Sequence, residues 1–401
     1  MGIRLAVLDD NPHLAWDGRI YPKNALFHRF LAALLDVPGA PVAEVLHITP
    51  VRAAASRPET GPVDARIRTV PTAPFAGIAG YLLRAPILTI RNARPIRDAI
   101  RETDLLLMRL PASNAPLTAV TAARLGRPRF GYVAGSARDV AAALPHRGPS
   151  RWAAIAVGAA YDAVSRRAAG RDHTIATGER LLDGGVVTSL VEADEIGLRG
   201  GQGRAGSGVS REAGGGLRLA WSGRLVQGKG VETLIDALAA LNADPSDSGV
   251  SLAVLGDGPH REALMARAAA AGLDGAVTWM GHVGDRATYL DTLGAADLFV
   301  FPSPAEGFPK VVLDAAAVGL PVLASPVGAL SELAASGILV PVPPSDPAVL
   351  AAAVRDLAGD TARRSQLRDA GLRFAAEHTR PAEAARLVAR LRTDYPSLPW
   401  S

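Results

Sequence analysis

The 401-residue sequence contains no cysteine, which excludes disulfides and thiolate chemistry and fits a reducing compartment. Lysine is almost missing as well: Lys23, Lys229 and Lys310 stand alone among 43 basic residues, the rest being arginine. No Asp-x-Asp occurs, so a common carboxylate clamp for a metal-bound nucleotide diphosphate is absent. No Gly-Lys-Ser/Thr follows any glycine run, which excludes a phosphate loop of that type. The apolar run Trp152–Tyr161 is about half of the roughly 20 residues that a spanning helix needs. Basic residues are dispersed, and no zinc motif or aromatic-rich strand accompanies them, so nucleic acid is not an expected partner.

What is present describes a globular chain: 48% of residues are hydrophobic and 20% charged, with a net charge of +4. The length suits two domains, each with its own core. In the N-terminal half, strand-like runs at Ile3–Leu8, Val42–Ile48, Arg66–Val70, Leu105–Leu110, Arg129–Val133 and His173–Ala176 alternate with helix-like stretches such as Asn24–Leu35 and Pro116–Leu125. That alternation predicts a parallel sheet. No signal peptide is expected ahead of the first strand, and the chain is expected to be cytoplasmic. Tyr81–Arg101 and Arg147–Arg171 combine apolar runs with several arginines. Each reads as an amphipathic helix packed on its own sheet, with contact to an anionic inner membrane face as the second option. The glycine-rich segment 197–216 lacks apolar periodicity and reads as a linker. The expected organisation is therefore 1–196, linker 197–216, 217–378, and a final helix within 379–401.

The segment Phe301–Val340 carries the chemistry. Glu306, Gly307 and Phe308 leave the strand Asp297–Phe301, and a helix follows from about Pro309. A helix N-terminus offers unpaired N–H groups and about half a positive charge, a natural seat for phosphate. A carboxylate beside that seat suits hydroxyls on the same ligand, so a sugar joined to a diphosphate fits both halves. Upstream, the strand Leu217–Trp221 runs into Ser222-Gly223-Arg224-Leu225-Val226-Gln227-Gly228-Lys229-Gly230. Next comes an amphipathic helix with Val231, Leu234, Ile235 and Leu238 at i, i+3, i+4 and i+7. Arg224 and Lys229 thus fall at the C-terminal end of a strand, where open α/β sheets bind ligands. Gly256-Asp257-Gly258-Pro259 and Gly281-His282-Val283 close two further strands.

This order of motifs resembles the donor-binding signature of the family 4 glycosyltransferases of the GT-B fold. Their two glutamates separated by seven residues correspond here to Glu306 and Asp314, followed by Gly319-Leu320-Pro321-Val322 and Gly328. The aspartate is a departure, one methylene short of the family's residue. The resemblance implies two Rossmann-like domains facing across a cleft, with the last helix returning to the N-terminal domain. It implies a nucleotide-sugar donor on the C-terminal half, held by Gly223, Arg224, Lys229, Gly256, Asp257, Gly258, His282, Val283, Glu306, Gly307, Phe308, Pro309 and Asp314. Arg224 and Lys229 would neutralise the departing diphosphate and Glu306 would orient the sugar, which makes these three the catalytic candidates. Transfer with retention, without metal or other cofactor, to a glycan, lipid-linked or small-molecule acceptor is what the family implies. On the acceptor side, strand ends place His13, Asp17, Gly18, Tyr21, Ser136 and Arg138. Arg109 stands where many relatives carry a histidine. Two departures, Arg109 and Asp314, also admit a catalytically silent partner subunit. A sugar-nucleotide epimerase or a pyridoxal-dependent phosphorylase fits less well, because no acid–base set is evident and Lys229 and Lys310 lie in donor-like motifs.

Overall fold

The computed structural model describes residues 2–23, 25–138, 141, 149–170, 174–176, 196, 216–244, 249–306 and 309–400. The chain divides into two compact units, one of Met1–Thr177 with Arg380–Ser401 and the other of Ser189–Thr379, with short exchanges between 178 and 188 that lie outside the described residues. The expected linker 197–216 lies outside them too, apart from Gly216.

In the first unit, β1 (Ile3–Leu8), β4 (Val42–Ala53), β5 (Ile67–Thr72), β6 (Leu105–Leu110), β7 (Arg129–Val133) and β8 (Thr174–Ala176) pair in parallel. Their order across the sheet is β5-β4-β1-β6-β7-β8. Counted along the crossovers this is 3-2-1-4-5-6, whose strand order reverses between β1 and β6. Proline is tolerated in β5 at Pro71 because that strand lies at an edge. One insertion interrupts the pattern. The hairpin β2 (His13–Trp16) and β3 (Arg19–Pro22) is antiparallel within itself and joins the far half of β4 in parallel. Its turn is Asp17-Gly18 with φ of 47° and 70°, the positive pair that a two-residue hairpin turn requires.

Helix α1 (Ala25–Leu35) buries Phe27, Phe30, Leu31 and Leu34, one stripe at helical spacing, against Leu5, Val7 and Val45. The chain's last helix completes that layer. It buries Ala384, Leu387, Val388 and Leu391 in the same cluster, and Tyr395 donates to the carbonyl of Arg129 at 2.6 Å. The opposite face is covered by α2 (Gly77–Arg101), α3 (Ala115–Arg124) and α4 (Pro149–Ala169), with Ile96, Ile100 and Ala115 packed on Leu46, Ile48 and Met108.

The second unit repeats the plan. Strands β9 (Arg218–Ser222), β10 (Ser251–Leu255), β11 (Val277–Gly281), β12 (Leu298–Phe301), β13 (Val322–Ala324) and β14 (Val340–Pro341) are all parallel, in the order β11-β10-β9-β12-β13-β14. Strand order reverses between β9 and β12. Helix α5 (Val231–Asn242) buries the expected stripe of Val231, Leu234, Ile235 and Leu238. Then α6 (Arg261–Ala270), α7 (Arg286–Gly294), α8 (Lys310–Ala317), α9 (Leu330–Ala335), α10 (Pro347–Gly359) and α11 (Thr361–Glu377) complete the unit, and α12 (Arg380–Asp394) is the helix that belongs to the first. Among the described residues no helix is long and apolar enough to cross a membrane.

Candidate functional site

In the second unit the loops that leave β9 and β12 meet where the strand order reverses, the position at which such sheets hold ligands. Lys229, from the first loop, places Nζ 2.6 Å from Oε1 of Glu306, from the second. Ser303 is fully buried and donates to the same oxygen at 2.7 Å. Gly230 permits this approach: its φ is 74°, and a Cβ there would stand 2.1 Å from the carbonyl oxygen of Pro302. Arg224 is exposed at the mouth of the β9 loop. Pro309 caps α8 with an extended backbone; Gly307 and Phe308 lie outside the described residues.

The neighbouring loop is locked to this one. Gly223 donates to the carbonyl of Leu255 and Leu225 to that of Asp257, both at 3.0 Å. Gly256 sits so close that a Cβ would fall 1.8 Å from the carbonyl oxygen of Gly223. Asp257 turns back on the amide of Gly258 at 2.7 Å and stands 3.9 Å from Arg261. His282 is exposed and Val283 half-buried after β11, two strands from the reversal.

Asp314 is buried on α8 and already holds a cation. Arg286, at the start of α7, approaches its Oδ1 to 2.8 Å, and the hydroxyl of Tyr289 donates to Oδ2 at 3.3 Å. The Tyr289 oxygen in turn lies 3.1 Å from the hydroxyl of Ser222 at the end of β9, which can donate to it. Burial and the Asp314 charge push the Tyr289 phenol well above its ordinary range. Arg286, Tyr289, Ser222 and Ser303 were not among the sequence candidates. Nothing in their spacing marks them, since α7 reaches Asp314 only through the fold.

The reversal point of the first unit is lined by Asp9 and Asp10 after β1 and by Arg109–Ser113 at the end of β6. Asp9 is buried, 3.0 Å from Nη1 of Arg109 and 3.7 Å from Nε2 of His47. Burial opposes its ionisation, yet His47 and the Arg109 guanidinium outweigh it and hold the carboxyl well below the usual carboxylate range. Asp10 has the opposite fate. It accepts from the amide of Ser113 at 2.6 Å and from Tyr161 at 3.2 Å, but burial pushes its carboxyl up to about 6. Two adjacent acids are thus driven apart, one fixed as an anion and one able to carry a proton near neutrality. The sequence showed acids at this strand end without separating their roles.

The acceptor-side candidates scatter. Arg109 lies at the reversal point, over the ring of Phe27 at 4.8 Å. Asp17 and Gly18 form the hairpin turn, which accounts for both residues on backbone grounds. Tyr21 is buried in that hairpin, edge-on to Trp16. Ser136 donates to Asp162 of α4 at 2.9 Å, and the amides of Ala137 and Arg138 cap the same carboxylate, while the Arg138 side chain is exposed. His13 is brought against two further histidines, His28 and His47, all three buried. Burial, then their neighbours' charge, pushes His13 down to about 3 and His28 to about 4, so both rings are neutral at pH 7.

Residues 216–360 match the family model described as Glycosyl transferases group 1. That segment is a group 1 glycosyltransferase domain. It holds both Lys229 and Glu306. The chain is similar to the glycogen synthase of Mycobacterium tuberculosis (strain CDC 1551 / Oshkosh), 37% identical over 145 residues, which are 36% of this chain and 34% of that protein. The chain thus spans about a third of the length of that curated relative. Two solved structures extend the likeness to nearly the whole chain. One is sucrose-phosphate synthase from Thermosynechococcus elongatus, with a TM-score of 0.66 at 18% identity, covering 99% of this chain and 100% of that one. The other is HepE of Anabaena in complex with UDP and glucose, with a TM-score of 0.60 at 16% identity, covering 98% and 100%. At such identities the likeness concerns the fold, which is GT-B.

Proposed function

We propose that the chain is a glycosyltransferase that moves a sugar from a nucleotide diphosphate to an acceptor hydroxyl. The observation that carries this reading is the Lys229–Glu306 pair, 2.6 Å apart across the strand reversal of the domain that matches the family. A diphosphate entering beside Lys229 and Arg224 gains two cations, and the ammonium of Lys229 can rotate from Glu306 toward it. Glu306, released, then accepts from sugar hydroxyls. Stabilising the charge that grows on the departing diphosphate is the main source of rate in such a site. The two side-chain cations perform this neutralisation without a metal at the diphosphate. Retention at the anomeric carbon follows from the family resemblance. Asp314 takes the ribose hydroxyls while keeping Arg286, and His282 and Val283 border the base.

The acceptor is proposed to be lipid-linked. On α2, Leu82, Leu83, Ile87 and Ile90 are all exposed, with Leu83 at 86% and Ile90 at 77%, and Arg84 and Arg91 flank them. The opposite side of the same helix is buried through Tyr81, Leu88, Asn92 and Ile96. A helix apolar on both sides, with arginines at the outer margin, suits an anionic lipid surface. This supports a chain that works at the inner face of a membrane.

The test is a thermal-shift panel of nucleotide diphosphates, with and without magnesium, on wild type and Lys229→Ala. A ligand at 100 times its dissociation constant adds about 2.7 kcal/mol. Stabilisation by one diphosphate, equal with and without magnesium and lost in the variant, is the expected result and identifies the base. No stabilisation by any diphosphate overturns the reading in favour of a silent partner subunit.

A further inference from the structure

We propose that the N-terminal unit binds a divalent transition metal, zinc being the reference ion, through His13, His28 and His47. The three side chains come from β2, α1 and β4, and their relative exposures are 2%, 5% and 1%. One ring nitrogen from each lies within 4.8 Å of the other two. Both ring nitrogens of His13 and of His47, and Nδ1 of His28, are buried without a hydrogen-bond partner. Five buried ring nitrogens without a hydrogen bond within one three-residue cluster is an unusual concentration, since nearly all such atoms in folded proteins are satisfied. A single cation shared by the three rings satisfies one nitrogen of each.

The chemistry of the donors selects the ion. Imidazole nitrogens suit zinc, copper, nickel and iron(II), whereas magnesium and calcium take oxygen ligands. Zinc–nitrogen bonds of roughly 2.0–2.1 Å place tetrahedral ligand atoms about 3.4 Å apart, so the rings close by up to about 1.4 Å from the present span. His13 stands edge-on to both other rings, at interplanar angles of 78° and 81°, while His28 and His47 are stacked at 21°. His28 accepts the amide of Asp64 through Nε2 at 2.8 Å, which leaves the proton on Nδ1. Ligation through Nδ1 of His28 therefore moves that proton to Nε2 and gives up the Asp64 hydrogen bond in exchange for the metal.

A supporting shell is already built. Oδ2 of Asp9 is 3.7 Å from Nε2 of His47, and Asp9 is itself fixed by Arg109 and by the side chain and amide of Asn11. A carboxylate behind a ligating histidine sets its tautomer and raises its basicity. His13 arrives only because the β2–β3 hairpin is inserted into an otherwise regular strand order, which gives that insertion a purpose. Three protein ligands leave a fourth position for water or a substrate oxygen. This site belongs to the N-terminal unit, so it is separate from the metal-independent handling of the donor diphosphate proposed above and stands or falls without it.

The experiment uses the full chain purified without a polyhistidine tag and stripped with a chelator. Titration with zinc chloride, followed by dialysis and elemental analysis, is expected to leave about one zinc per chain and to raise the melting temperature, with magnesium chloride doing neither. Cobalt(II) is expected to give the intense visible absorption of a tetrahedral nitrogen site. His13→Ala and His47→Asn should each lower zinc affinity at least tenfold, with far-ultraviolet circular dichroism checking that the variants are folded. A stripped wild-type chain that retains no zinc after dialysis overturns the proposal, and that result needs no variant. Zinc retained undiminished by folded His13→Ala and His47→Asn overturns it equally.

Discussion

Replacing Arg286 by alanine tests the electrostatics of the donor domain most directly. Asp314 has 3% of its side chain exposed and faces the guanidinium at 2.8 Å, with Tyr289 as a further donor. Two unit charges about 4 Å apart interact by roughly 4 kcal/mol at an effective dielectric near 20, and breaking a buried pair by removing one partner costs about 3–5 kcal/mol. Arg286 is 32% exposed, so water can follow the departed side chain and soften the loss. The expected destabilisation is therefore about 2–3 kcal/mol, at or just below the lower end of that range. For a unit of this size, 1 kcal/mol corresponds to about 2–4 °C, so its calorimetric transition should fall by about 5–10 °C. The loss comes from a stranded anion and not from lost packing, so adding Asp314→Asn to the Arg286→Ala chain should restore most of it. A shift below about 1 °C in the single variant, or a double variant no more stable than the single, refutes the reasoning.

Three further outcomes follow from the same reading. Asp10, raised from 3.8 to about 6, favours the folded state when protonated, a contribution fully present below about 3.8 and lost as pH rises through about 6. Asp10→Asn keeps the neutral form at every pH, so it should melt higher than wild type at pH 8 by the equivalent of about 3 kcal/mol, with the gap closing below pH 4; a gap independent of pH denies the assignment. Gly256→Ala forces a Cβ against the Gly223 carbonyl at a positive φ, so urea unfolding should show a loss of at least about 2 kcal/mol and diphosphate stabilisation should vanish with it. Leu83→Asp with Ile90→Asp should weaken co-sedimentation with anionic vesicles by at least about tenfold, since burying even one such side chain is worth more than 1.4 kcal/mol; unchanged binding removes α2 as the lipid-facing element.

The proposed donor site could be nominated from the sequence because its motifs are written locally. Each strand hands its polar groups to the next few residues, so Gly223–Lys229 and Glu306–Asp314 stand out before anything is known of the sheet. What was hidden is whatever depends on which strands become neighbours. Lys229 and Glu306 are 77 residues apart and Arg109 and Asp9 are 100 apart, and only the 3-2-1-4-5-6 order makes each pair adjacent. The same cause explains Asp314: its position in the motif was visible, but Arg286 reaches it from the helix after β11, and no spacing rule connects the two. Asp17 and Gly18 are the opposite case, a local signal that also has a backbone reading. An Asp-Gly pair between His13–Trp16 and Arg19–Pro22 is a hairpin turn, and reading it so would have announced a strand pair that the regular alternation does not contain. That hairpin matters more than its turn residues. By laying β2 along the outer half of β4 it delivers His13 to His28 and His47, beside the Asp9–Arg109 pair at the strand reversal. The buried charges and clustered imidazoles of the N-terminal unit therefore gather at the same end of its sheet as the proposed donor groups do in the C-terminal unit, through residues that have no common motif. Equivalent places in two repeats of one topology have been filled by different chemistry, which is why the resemblance that identifies the second domain says little about the first.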